Sequence, residues 1–67
     1  MTLGEKIKTA RKTVGLTQKQ LGLACGYIES SAERIVQKWE HSSCAPPLDK
    51  IRTLATALKV SIDYLIP

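Results

Sequence analysis

The chain has 67 residues and a mass of 7.4 kDa, which allows one small core and no second domain. Hydrophobic residues make up 43% and charged residues 24%, the balance of a folded globular protein rather than a disordered tail. Ten Lys and Arg against six Asp and Glu give a net charge of +4, which suits a polyanionic partner but is shared by many unrelated small proteins.

The first segment opens with Thr2-x-x-Glu5, a capping box in which the threonine hydroxyl accepts from the N3 amide and the glutamate reaches back. Leu3, Ile7, Ala10 and Val14 then recur at helical spacing, with Lys6, Lys8, Arg11 and Lys12 on the other faces. Gly15 is placed to stop this helix. A second capping box, Thr17-x-x-Gln20, starts a helix of about two turns over residues 17–25. Leu21 and Cys25 fall on its inner side, and Gly22 lets another helix approach closely.

Ser30-x-x-Glu33 predicts a third helix over about residues 30–41. Its buried stripe is Ile28, Ala32, Ile35, Val36 and Trp39, and its polar face carries Ser30, Arg34, Gln37 and His41, flanked by Glu33 and Lys38. Trp39 belongs to the core at this spacing rather than to a stacking platform. A fourth helix follows Pro46-Pro47, with Asp49 at the positive end of its dipole. Leu48, Ile51, Leu54, Ala55 and Leu58 face inward there, and Ser61 can start a short fifth helix whose Ile62, Leu65 and Ile66 close the core. The expected fold class is therefore all-α, a compact bundle of four or five short helices forming a single domain over 1–67. No stretch approaches the ~18 to 20 apolar residues of a membrane span. The amino-terminal residues lack the apolar block of a signal peptide, so a cytoplasmic location is expected.

Chemistry-bearing residues are sparse. Cys25, Cys44 and His41 fall short of the four ligands of a structural zinc site, and H-x-x-C over positions 41–44 is half of one, so no metal is expected. Reduced cysteines are the default in a cytosolic chain. No Ser-His-Asp or Cys-His-Asn constellation, paired carboxylate site or phosphate-cradling glycine loop is present, so the chain is not expected to be an enzyme or to need a cofactor.

The middle of the chain is the informative part. A short helix, a glycine turn and a second helix with a polar outer face form the helix-turn-helix pattern, whose second helix enters a major groove. The stretch Leu16-Thr17-Gln18-Lys19-Gln20-Leu21-Gly22-Leu23-Ala24-Cys25-Gly26, the pair Trp39-Glu40, the apolar positions from Leu48 to Leu58, and Val60-Ser61-Ile62-Asp63-Tyr64-Leu65 resemble the Cro and phage-repressor type of helix-turn-helix domain, the XRE-like family. The resemblance spans nearly the whole chain. It implies a five-helix double-stranded-DNA-binding domain of a bacterial or phage transcription regulator, usually a dimer on a two-fold operator. Two departures stand out. The step from Gly26 to Trp39 is thirteen positions, longer than in most members, which puts extra residues in the turn or the first turn of helix 3, around Tyr27 to Ser31. The loop His41-Ser42-Ser43-Cys44-Ala45 lacks the Lys or Arg usual there.

The resemblance assigns Gln18 to a phosphate contact at the amino end of helix 2, where free amides and the dipole favour an anion. Glu33, Arg34, Gln37 and Lys38 are the base-reading candidates. Arg or Lys bridges guanine O6 and N7, Gln suits adenine, and Glu accepts from cytosine N4. Ser30 and Ser31 can cap helix 3, touch phosphate or do both. Lys6, Lys12 and Lys19 are phosphate candidates whose alternative is ordinary solvation. Lys50, Arg52 and Lys59 receive no site. In the family an Arg at the position of Arg11 pairs with the Glu that ends helix 3, here Glu40, so the resemblance implies an Arg11–Glu40 clamp. Tyr27 either packs or faces the DNA backbone, and Tyr64, Leu65 and Ile66 either close the core or join a dimer contact. The leading expectation is a sequence-specific double-stranded-DNA-binding regulator, a repressor that occupies its operator as a dimer. The alternative is an antitoxin or anti-regulator whose main partner is a protein, held through Leu23 and the carboxy end, Tyr64 to Pro67.

Overall fold

A computed structural model describes residues 2–66. Five helices follow one another: α1 (Leu3–Val14), α2 (Gln18–Ala24), α3 (Glu29–Glu40), α4 (Leu48–Leu58) and α5 (Ile62–Leu65), with no strand among the described residues. The first two begin at complete capping boxes. Thr2 Oγ1 accepts from the Glu5 amide while the Glu5 carboxylate accepts from the Thr2 amide, and Thr17 and Gln20 repeat the arrangement. Each box satisfies amides that have no intrahelical acceptor. The Thr2 donors hold the Glu5 carboxyl below its ordinary range. Gly15 ends α1 in the left-handed region, φ 81°, returning its amide to α1 carbonyls, a conformation a side chain would resist.

The third helix departs from the expected cap. It begins at Glu29, one residue before Ser30, with Ile28 in the N-cap position and no side-chain capping bond. Ser30 is already helical, so its hydroxyl does not reach the N3 amide. The Glu29 carboxylate, in the first turn, complements the positive end of the dipole instead. Of the stretch suspected of holding extra residues, Tyr27 and Ile28 are non-helical and Glu29 to Ser31 form the first turn of α3.

Ile7, Leu21, Leu54, Leu58, Leu65 and Val36 are fully buried, and Ala10, Cys25, Ala32, Trp39, Ile51 and Ala55 complete the core. Each large apolar side chain moved out of water contributes about 1.5–3 kcal/mol. Three residues expected in that core lie outside it: Leu48 is 84% exposed, Ile28 69% and Ile66 44%. All three sit at helix ends, Ile28 and Ile66 at caps and Leu48 as the first residue of α4. There the 100° periodicity no longer governs direction. Pro46, just before α4, is buried.

Two glycines permit close helix crossings. A Cβ on Gly22 would stand 2.6 Å from the Ala32 Cβ, and one on Gly4 would stand 2.6 Å from the Trp39 and Glu40 carbonyl oxygens. Glycine at these positions lets α2 and α1 lie directly against α3. The helices that pack on α3 are chiefly α2 and α1, while α4 packs on α2, α1 and α5.

Candidate nucleic-acid interface

The α2–α3 unit puts the amino end of α2 beside the outer face of α3. Between them lies an open concavity of about 430 Å³ lined by Lys19, Glu29, Ser30, Glu33, Arg34 and Gln37. A second, lined by Arg11, Thr17, Gln18, Lys19 and Glu33 among others, continues it along α2. Both are shallow and solvent-filled, shaped to lie against a surface rather than to enclose a small molecule.

A polar network runs beneath this face. Arg11 Nε donates to Glu40 Oε2 at 2.6 Å and its second terminal nitrogen donates to Glu40 Oε1 at 3.3 Å, while the other donates to the Leu16 carbonyl at 2.9 Å. The two side chains are 11% and 3% exposed, so a fork-on-fork pair sits almost entirely out of water. Gln18 Nε2 donates to Glu40 Oε1 at 3.0 Å, and Gln37 Nε2 donates to Gln18 Oε1 at 3.2 Å and to Glu33 Oε2 at 3.3 Å. One chain of contacts thus links α1, the amino end of α2 and the polar face of α3. It fixes the rotamers of Gln18 and Gln37, both of which are candidates for contact with a ligand.

Gln18 is therefore partly committed within the protein. Its amide has a second N–H, and the backbone N–H groups of Gln18 and Lys19, in the first turn of α2, have no intrahelical acceptor. Lys19 Nζ lies 2.9 Å from Glu29 Oε1, both groups solvent-exposed. The hydrogen bond from Lys19, and then its charge, lower the Glu29 pKa from its ordinary value. Among the described residues, Lys19–Glu29 and Arg11–Glu40 are the ion pairs, which leaves Arg34 and Lys38 on the surface of α3 without an acidic partner. Glu33, Arg34 and Lys38 are exposed and Gln37 is half-buried, so the four base-reading candidates share one helix at solvent. Ser30 lines the concavity, whereas Ser31 is half-buried and its hydroxyl donates back to the Ile28 carbonyl at 3.5 Å. Lys6 is not brought to this cluster: its ammonium lies 5.5 Å from the centre of the Tyr64 ring, against α5. Tyr27 packs edge-on against Trp39, centroids 5.7 Å apart.

Sequence reasoning missed several members of this assembly. Lys50, on α4, donates to the Cys25 carbonyl at 2.9 Å and stands 5.1 Å from the Tyr27 ring centre. Nothing local in the sequence links residues 25 positions apart. The Lys19–Glu29 pair joins different helices and is equally invisible to periodicity. The Gln18–Gln37 bond could have been sought once the helices were paired, since both are amides on facing elements. Cys25 and Cys44 are free thiols, one buried and one exposed; burial pushes the Cys25 thiol up, opposed in part by the nearby Lys50 charge.

A two-turn helix crossing a longer one at a side-chain-free contact, with the longer helix's polar face turned to solvent, defines a helix-turn-helix domain. Comparison with known families gives the same result: a sequence model of the helix-turn-helix family, of the Cro and phage-repressor type, matches residues 7–65. The chain belongs to that family, and with it to the DNA-binding helix-turn-helix regulators. Among curated proteins, none matches the chain. No helix of the described residues is long and apolar enough to cross a membrane.

Proposed function

We propose that the chain is a sequence-specific, double-stranded-DNA-binding repressor that inserts α3 in the major groove and occupies a two-fold operator as a homodimer, in the cytoplasm of a bacterial or phage-infected cell. The observation that carries this reading is the outer face of α3, where unpaired Arg34 and Lys38 stand beside Glu33 and a Gln37 oriented by Gln18. Arg34 and Lys38 read guanine through O6 and N7, Gln37 reads adenine and Glu33 accepts from cytosine N4. Gln18, Lys19 and Ser30 hold phosphates at the groove edge, with Ser31 and, at the flank, Lys6 as further contacts, and these set position rather than sequence. The domain measures 30 × 22 × 21 Å, so two copies fit side by side on half-sites ~34 Å apart. The mechanism is occupancy of the operator and uses no cofactor.

The test is selection of duplexes from a randomised pool, then anisotropy titration of the enriched duplex and a scrambled one at several salt concentrations. A two-fold motif preferred at least about a thousandfold is the expected result. Equal, weak, salt-sensitive binding to both duplexes refutes base reading by α3. It would favour the second reading, a protein partner, for which Leu23, Tyr64 and Ile66 are the exposed apolar side chains available. Pro67, included in that contact surface, lies outside the described residues.

A further inference from the structure

Lys50 is placed against the preference of its own helix. It is the third residue of α4, at the positive end of the dipole, where a cation is disfavoured. Its ammonium is instead spent on the turn between α2 and α3. It donates to the Cys25 carbonyl at 2.9 Å, at the negative end of α2, and lies over the Tyr27 ring at 5.1 Å. A Cβ on Gly26, between the two, would stand 3.6 Å from the same nitrogen. One side chain thus engages Cys25 and Tyr27, on either side of Gly26.

Tyr27 carries the contact onward, because its ring meets Trp39 edge-on near the carboxy end of α3. Beside the packing of α4 on α2 and α1 and the shared core, Lys50, the turn, Tyr27 and Trp39 form a polar and aromatic route from α4 to α3. Ile28, which follows Tyr27, gives α3 no side-chain cap, so no capping side chain of its own fixes the start of this helix. We propose that Lys50 is a positioning residue for DNA recognition: it clamps the α2–α3 turn to α4 and thereby sets the angle at which α3 presents its outer face. The inference rests on the reading of α3 given above. Lys50 does not itself meet the base edges or phosphates.

The experiment compares the wild-type chain with Lys50→Met, which keeps the stem but removes charge and donor, and Lys50→Arg, which restores both. Each is titrated against the enriched and the scrambled duplex across salt concentrations, and amide spectra of the free proteins are recorded. A turn released to sample non-productive orientations reduces specific affinity by the fraction that remains competent, here expected to be about tenfold for Lys50→Met. Scrambled-duplex affinity and the salt slope are expected to stay unchanged, and Lys50→Arg to regain most of the discrimination. In the free protein, Lys50→Met should shift the amides of residues 27–34, and Lys50→Arg should not. Discrimination by Lys50→Met equal to wild type overturns the proposal, and so does parallel loss of both kinds of binding with loss of folding, which would mark Lys50 as structural only. If the wild-type chain binds both duplexes alike, the reading of α3 fails, and unchanged amides of 27–34 in Lys50→Met would separately overturn the positioning role.

Discussion

Replacing Arg11 with alanine removes the cation from a carboxylate that is only 3% exposed. Glu40 is left with one hydrogen bond, from Gln18 at 3.0 Å, and the Leu16 carbonyl loses its 2.9 Å donor. Water cannot fully replace the guanidinium, because Glu40 is covered by α1 and by the start of α2. Breaking a buried pair from one side costs about 3 kcal/mol or more, through the uncompensated charge that remains. For a domain of this size each kcal/mol moves the melting temperature by roughly 4–8 °C, so a fall of roughly 12–24 °C is expected. Thermal unfolding followed by far-ultraviolet circular dichroism, repeated in urea, reads it directly. A fall below about 4 °C, the size of a solvent-exposed pair, would refute the reasoning.

A second arm separates the pair from its neighbours. Arg11→Met combined with Glu40→Leu removes both charges and keeps comparable volume, so most of the lost stability should return, with a coupling of at least about 2 kcal/mol in the double-mutant cycle. Gln18 then loses its acceptor and no longer holds Gln37 in place. The doubly substituted chain should therefore stay folded yet bind the enriched duplex more weakly than wild type.

Two further outcomes follow from side chains outside the core. Lys59 closes α4 with φ 58° and ψ 41°, a left-handed conformation that costs a non-glycine residue about 1–2 kcal/mol, partly offset by glycine's own unfolded-state entropy. Lys59→Gly should raise stability by roughly 0.5–1 kcal/mol in urea titrations; an unchanged or lower midpoint would contradict the strain argument. Glu29→Gln should free Lys19 for phosphate and remove a charge that repels DNA, steepening the dependence of binding on log salt by about one. Because the Glu29 pKa is lowered, its pairing with Lys19 is complete above the ordinary carboxylate range and fades only as pH falls through the lowered value. The difference from wild type should accordingly be the same at pH 6 and pH 8, and an unaltered salt slope would show that Lys19 makes no phosphate contact.

Much of the architecture was legible because it is written locally. Capping boxes at Thr2 and Thr17, the stop at Gly15, and the stripes through Ile7, Val36 and Leu54 depend on residues three or four apart, and each element appears in the structure with those features. Helix ends were less legible. Ser30 has the capping-box spacing, but a glutamate one residue earlier starts the helix without it. Leu48 continues the α4 stripe on a wheel, but at the first position it faces solvent. The candidate site divides in the same way. The polar face of α3 follows from periodicity, and the family resemblance put Arg11 opposite Glu40, which the structure holds at 2.6 Å. The links from Glu40 through Gln18 to Gln37, from Lys19 to Glu29, and from Lys50 to the turn join elements whose adjacency is set by the packed core.

The distribution of charge bears on how such a surface would discriminate. The net charge of +4 is not carried by α3, whose Glu29, Glu33 and Glu40 outnumber Arg34 and Lys38 by three to two. Helix α1 holds Lys6, Lys8, Arg11 and Lys12 against Glu5 alone, four to one. With Glu40 neutralised by Arg11, the exposed part of α3 has balanced charge and gains little from phosphates in general. For a DNA reader this means that attraction to any duplex comes from surrounding lysines, while α3 adds affinity only where base donors and acceptors match its own. If α3 reads bases as proposed, a guanine opposite Arg34 would gain a bidentate contact, whereas a mismatch would leave Glu33 facing electron-rich base edges with no donor to accept from. On the proposed reading of α3, its acidic side chains would weaken binding to wrong sites more than to right ones, which would raise specificity without raising overall affinity.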